Sequence, residues 1–182
     1  MKSIFLSTAL VASLLSPITS AFELKSDDIQ SGKMMSKMQE FTGFGCDGQN
    51  KSPQLMWNNP PEGVKSFAVT AYDPDAPTGS GWWHWLVYNL PTSTNNLPSG
   101  AGGVDQNDLP LGAVQGRNDY GQFAFGGACP PENHGPHRYQ FTVYALDVEH
   151  LSLPKESSAA LIGYMLNSHK IEAVEIEAFY QR

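Results

Sequence analysis

Positive charge is in short supply in this chain. Eleven Lys and Arg stand against eighteen Asp and Glu, a formal net charge of −7, and that balance works against nucleic acid and anionic membrane surfaces through long-range repulsion. Any anion site must be built locally. Long apolar runs are equally scarce: beyond the N-terminus nothing approaches the roughly 20 apolar residues of a membrane span, so an integral membrane protein is not expected. No fixed-period repeat and no low-complexity tract occurs. Two catalytic signatures are missing as well, the Gly-x-Ser-x-Gly elbow of serine hydrolases and the His-Glu-x-x-His pair of zinc peptidases.

Cysteine is scarce too, with only Cys46 and Cys129. In an oxidising compartment an even count reads first as a disulfide, and the alternative is a reactive thiol. Neither cysteine has a local signature of activation.

The compartment follows from the first residues. Lys2, the apolar run Ile4 to Leu15 and the small residues Thr19-Ser20-Ala21 have the order of a secretory signal peptide cleaved near Ala21. Ser13, Ser16 and Pro17 interrupt the run and argue against a membrane anchor. The expectation is a periplasmic or secreted protein, with residues 1–21 as signal peptide and 22–182 as one domain, a length close to the roughly 150 residues of a single compact unit. Cleavage removes one charge, Lys2, and takes the net charge from −7 to −8.

Hydrophobic periodicity points to a mainly β protein. Ser66–Tyr72, Trp85–Leu90, Tyr139–Leu146 and Val174–Phe179 are short, rich in β-branched or aromatic residues and bounded by Pro, Gly, Asp or Asn. Tyr139–Leu146 carries bulky residues on both faces, which implies a sheet covered on both sides. One helix is expected from Ser157 or Ser158 through Leu166, with serine as the N-cap and Pro154 just outside. The stretch Pro91–Pro131, dense in Gly, Pro, Asn and Asp, is too long for a plain connector and belongs inside the domain.

Three clusters carry candidate chemistry, each at a strand end. In Asp73-Pro74-Asp75-Ala76-Pro77 each proline pushes the preceding residue out of the helical region, so Asp73 is held extended where a strand stops. In Gly81-Trp82-Trp83-His84-Trp85, alternation puts Trp82 and His84 on one face and Trp83 and Trp85 on the other. In Gly135-Pro136-His137-Arg138-Tyr139 the same rule places His137 with Tyr139 and turns Arg138 away, where it is expected to pair with a loop carboxylate such as Asp119. Two imidazoles and a phenol supply donors for a phosphate or carboxylate, and a nearby carboxylate favours a protonated histidine. Asp73 or Asp75 could instead meet an ammonium group.

These motifs, with Ser52-Pro53, Gln115-Gly116-Arg117-Asn118-Asp119-Tyr120-Gly121 and Pro130-Pro131, give the chain a resemblance to the phosphatidylethanolamine-binding proteins, in the bacterial branch described as Raf-kinase-inhibitor-like. The resemblance implies a central antiparallel sheet with a smaller second sheet and peripheral helices. It also implies a cavity for phosphate, acetate or a phosphorylated head group, lined by Asp73, Trp82, His84, Pro131, His137 and Tyr139, with Asp75 supporting the loop and counted among the ligand-binding residues. Two departures stand out: Cys129 occupies a position where many relatives have glycine, and Trp83-His84 replaces a pair of histidines. The expected function is binding of a small anionic or phosphorylated ligand, without catalysis, cofactor or metal, with inhibition of a protein partner left open. The runner-up is a hydrolase or metal-dependent enzyme using His84 or His137, with His134 near enough in sequence to join His137.

Overall fold

The computed structural model describes residues 21–182; residues 1–20, and with them the signal-peptide expectation, lie outside the described residues. The first half of the chain forms β1 (Glu23–Lys25), β2 (Thr42–Gly43), β3 (Cys46–Asp47), β4 (Leu55–Asn58), β5 (Ser66–Asp73) and β6 (Trp82–Pro91). The second half forms β7 (Asn96–Leu97), β8 (Val114–Gln115), β9 (His137–Leu146), α1 (Ala159–His169) and β10 (Lys170–Tyr180). A central sheet runs in the order β10-β9-β5-β6-β8, antiparallel at every step. A second sheet, β1-β4-β7, and a two-stranded ribbon, β2-β3, complete the architecture. The four long strands contain the four predicted segments and run past each of them, and the expected peripheral helices reduce to α1 among the described residues.

Both faces of the central sheet are covered, as the bulky sequence of β9 requires. One face sends Phe67, Val69, Trp85, Val87, Phe141 and Val143 against Leu55 and Trp57 of β4 and against Phe22. The other sends Ala68, Leu86, Tyr88 and Leu146 against Ile162 and Leu166 of α1 and against Leu151. Each fully buried Leu, Val or Phe contributes roughly 1.5–3 kcal/mol relative to its exposed state. The helix starts where serine can cap it: Ser158 is extended and its hydroxyl accepts the Leu161 N–H at 3.2 Å. The stretch Pro91–Pro131 stays within the domain, adding β7 and β8 and burying Leu97, Ala101, Phe125 and Ala128 in the core.

Alternation breaks twice in β6. Between the pairs Ala71↔Trp85 and Tyr72↔Trp83, and again between Phe67↔Leu90 and Val69↔Val87, β6 uses one more residue than β5. Asn89 absorbs the second bulge with a φ of 61°, a left-handed conformation Asn tolerates, and its Oδ1 accepts the Leu151 N–H at 2.8 Å. The first bulge overturns the expectation that Trp83 and Trp85 share a face, because one extra residue flips every side chain beyond it. Trp83 packs on the helix side against Tyr72, ring centroids 4.5 Å apart. Trp85 lies in the opposite core, its Nε1 donating to Gln115 Oε1 at 2.7 Å. His84 sits at the irregularity and turns toward Tyr139.

Candidate functional site

The ends of β5 and β6 and the start of β9 meet around a cavity of about 190 Å³. That is well under the roughly 300–1,000 Å³ of pockets that take drug-sized ligands, so only a small molecule or group fits. Its wall contains Asp73, Trp82, His84, Pro131, His137 and Tyr139, together with Phe44, Thr78, Tyr120, Cys129 and Pro130. Aromatic rings meet edge to face: His84 with Tyr139 at 5.1 Å, His84 with Tyr120 at 5.7 Å and Trp82 with Tyr120 at 5.2 Å between centroids. Phe41 stacks behind Tyr120 at 4.0 Å.

Asp73 is fixed before any ligand arrives. It is 2 % exposed; one carboxylate oxygen accepts the Asp75 N–H at 2.8 Å and the other faces His137 Nδ1 at 2.7 Å. A carboxylate only accepts, so Nδ1 of His137 carries the hydrogen. The far nitrogen of His137, Nε2, lies 2.7 Å from Nδ1 of exposed His134. A buried carboxylate is thereby linked through two imidazoles to the surface.

His84 is held differently. Its Nδ1 lies 2.7 Å from the Gly126 carbonyl and 3.1 Å from that of Gly127, so Nδ1 donates and, in the neutral ring, Nε2 is an acceptor. Burial lowers the His84 pKa, outweighing the opposing carbonyl contacts and the charge of Asp73. The segment supplying those carbonyls is itself pinned by Asn118, whose amide donates to Ala124 and His84 carbonyls at 2.8 and 3.3 Å, and by Tyr120, whose hydroxyl donates to Gly127 O at 2.9 Å. Three buried polar atoms on the lining residues have no hydrogen-bond partner among the described residues: His84 Nε2, Tyr139 Oη and Trp82 Nε1. Burial, followed by the charge of Asp73, raises the Tyr139 pKa and keeps its hydroxyl protonated.

Asp75 is the correction among the expected ligand contacts. It is not in the cavity wall, because Arg138 occupies it: Asp75 Oδ1 takes Nη2 at 2.7 Å, and Oδ2 takes Nε and the Arg138 backbone N–H, each at 2.9 Å. The fork of the guanidinium matches a carboxylate, and this pairing holds the Asp75 carboxyl down at about 2. Arg138 does face away from the cavity, but Asp75 and not Asp119 is its partner. Asp119 instead accepts the Trp83 N–H at 2.7 Å.

Sequence reasoning missed Tyr120 and Phe44 as lining residues. Tyr120 belongs to the segment Gln115–Gly121, whose spacing says nothing of where the loop returns. Phe44 arrives through the Cys46–Cys129 disulfide, with a Cα–Cα distance of 6.0 Å, which clamps the β2–β3 hairpin to Pro130-Pro131. No thiol is free in the wall, and the Thr78 hydroxyl is committed to the Gly81 carbonyl. Among the described residues no group of three His, Cys, Asp or Glu is arranged to hold a metal ion, and His134 and His137 spend their facing nitrogens on each other.

A family model for phosphatidylethanolamine-binding proteins matches residues 25–181. The chain belongs to that family. Among relatives, UPF0098 protein YbcL of Escherichia coli K12 is 52 % identical over 181 residues, covering 100 % of this chain and 99 % of its own. UPF0098 protein YbhB of the same organism is 45 % identical over 159 residues, covering 87 % and 99 %. The crystal structure of E. coli YbcL, described as a new member of the mammalian PEBP family, superposes with a TM-score of 0.88 at 53 % identity, over 90 % of this chain and 99 % of that one. A phosphatidylethanolamine-binding protein homologue from Chlamydia trachomatis gives 0.72 at 31 % identity, over 89 % and 98 %. The mainly β fold is that of the phosphatidylethanolamine-binding proteins, and no helix of the described residues is long and apolar enough to cross a membrane.

Proposed function

We propose that this member of the family is a binding protein without catalytic turnover, whose cavity accepts a small anionic or phosphorylated head group such as phosphate or phosphoethanolamine. The observation that carries the reading is the set of three buried, unpartnered polar atoms on one small cavity, His84 Nε2, Tyr139 Oη and Trp82 Nε1. An unsatisfied buried polar group costs about 1–3 kcal/mol, and a ligand that satisfies all three recovers that cost on binding. Walls of aromatic and proline side chains lower the local dielectric and strengthen each contact. The wall offers no free thiol, and its one aliphatic hydroxyl, that of Thr78, is committed to the Gly81 carbonyl, which supports binding over hydrolysis by a serine- or cysteine-type nucleophile.

The protein acts in the periplasm or outside the cell in this reading, after loss of residues 1–21, and the disulfide fits an oxidising compartment. A protein partner presenting a phosphorylated group would meet Phe44, which is 73 % exposed at the rim. Calorimetric titration with phosphoethanolamine tests the proposal. Saturable binding is expected, weakened about tenfold or more by Tyr139→Phe, which removes one donor from the cavity and only a weak contact with Asp73. No saturable heat between pH 5 and 8, or ester hydrolysis abolished by His84→Ala, would overturn it.

A further inference from the structure

The three unpartnered atoms are not alike. Trp82 Nε1 is always a donor, and Tyr139 Oη carries a hydrogen that it can give to a ligand in place of its weak contact with Asp73. His84 Nε2 is the exception. With Nδ1 given to the Gly126 and Gly127 carbonyls at 2.7 and 3.1 Å, a neutral ring turns a lone pair toward whatever occupies the cavity. A fully ionised oxyanion has only lone pairs to offer it. We infer that the cavity takes its ligand as a monoprotonated phosphomonoester or phosphonate, two bare oxygens accepting from Trp82 and Tyr139 and one P–OH donating to His84 Nε2. This rests on the anion-binding reading of the cavity and adds the protonation state and a residue that selects for it.

The electrostatics around His84 point the same way. From β5, Asp73 raises the proton affinity of the ring, yet its two oxygens are already occupied by Asp75 N–H and His137 Nδ1–H. From the loop before β9, Asp119 adds a weaker pull, Tyr120 presents a hydroxyl committed to Gly127, and the Gly126 and Gly127 carbonyls fill the Nδ1 edge. From β9, Tyr139 presents a protonated hydroxyl, and His137 is tied to Asp73 and His134. Burial outweighs these pulls and favours the neutral ring, whose Nδ1 hydrogen the Gly126 and Gly127 carbonyls hold. Arg138, the one cation of that strand, is turned away onto Asp75. A dianion would thus sit beside the buried Asp73 charge with no guanidinium or ammonium in the wall to balance it, whereas the monoprotonated form carries half the charge and brings the missing donor.

Methyl phosphate and methyl sulfate separate the possibilities on the unmodified protein. As monoanions the two are tetrahedral and of equal charge; only methyl phosphate carries an acidic OH. Methyl phosphate is expected to bind at pH 5 on the order of 10- to 100-fold more tightly than methyl sulfate, the cost of leaving His84 Nε2 unpaired. With a second phosphate pKa of about 6, its affinity should fall about 100-fold between pH 5 and pH 8. Calorimetry in buffers of different ionisation heat should show about one proton taken up per complex at pH 8 and about none at pH 5. Methyl sulfate binding as well as methyl phosphate, or uptake of a proton with either ligand at pH 5, would mean that His84 itself becomes the imidazolium, and would overturn the inference while leaving the anion site standing. Methyl phosphate binding undiminished at pH 8 would overturn it equally. If neither probe nor phosphoethanolamine binds at any pH, the anion-binding reading falls, and the inference with it.

Discussion

Removing the disulfide should cost this protein a large share of its stability while leaving the cavity largely in place. Cys46 and Cys129 are 83 residues apart, and the chain-entropy relation for a loop of that length gives about 4.5 kcal/mol at 25 °C. The native state keeps other ties at the same place: Arg182 Nε donates to Pro130 O at 2.8 Å and Nη1 to Gly45 O at 3.0 Å, and Phe41 stays stacked on Tyr120. The loss should therefore fall mainly on the unfolded chain, which gains freedom. For a domain of this size, 1 kcal/mol corresponds to about 2–4 °C in Tm, so Cys46→Ala/Cys129→Ala should melt about 9–18 °C lower. In urea its m-value should rise, since an unlinked chain exposes more surface. A double variant melting within about 3 °C of the parent would refute the entropy argument. A drop of the expected size with an unchanged m-value would instead place the damage in the folded state.

Acid should reveal the Asp75–Arg138 pair. Because the folded-state carboxyl of Asp75 is held at about 2, below its ordinary 3.8, its stabilisation is present above about pH 4 and lost as the pH falls toward 2. Asp75→Asn should thus be less stable than the parent at pH 7 by a modest amount, since solvent screens a pair whose side chains are 31 % and 43 % exposed, and urea midpoints of the two should converge between pH 4 and 2; a gap that persists at pH 2 contradicts the assignment. Gly127→Ala should be far more disruptive, because its Cβ would stand 2.4 Å from the Gln39 carbonyl oxygen and 2.6 Å from the Phe41 nitrogen, both backbone. We expect a loss of at least about 1–3 kcal/mol, read from thermal melts, and a variant within 0.5 kcal/mol of the parent would show that the close approach is not maintained.

Much of the site was legible in the sequence because strand alternation is local. Two residues apart in an extended strand means the same face, which is enough to join His137 to Tyr139 and to send Arg138 away from them. Proline chemistry held Asp73 at a strand end, Ser158 announced the helix, and cysteine parity pointed to the bridge. Alternation failed at Trp83 and Trp85, because a bulge is a property of two strands in register, and nothing in β6 alone says that β5 will be one residue short.

The partner of Arg138 escaped for a related reason. Asp75 and Asp119 are equally carboxylates on paper, and only the return of β9 beside the end of β5 brings Asp75 within reach of both the Arg138 side chain and its backbone. The sequence by itself determined which chemical groups meet at the strand ends: two imidazoles, a phenol, an indole and the carboxylates of Asp73 and Asp75, of which the structure keeps only Asp73 in the wall. Tertiary structure alone decided what those groups offer a ligand. The tautomer of His84 is set by carbonyls 42 and 43 residues further along the chain, and a hydrogen bond over that separation depends on how the loop is packed, which no local pattern encodes.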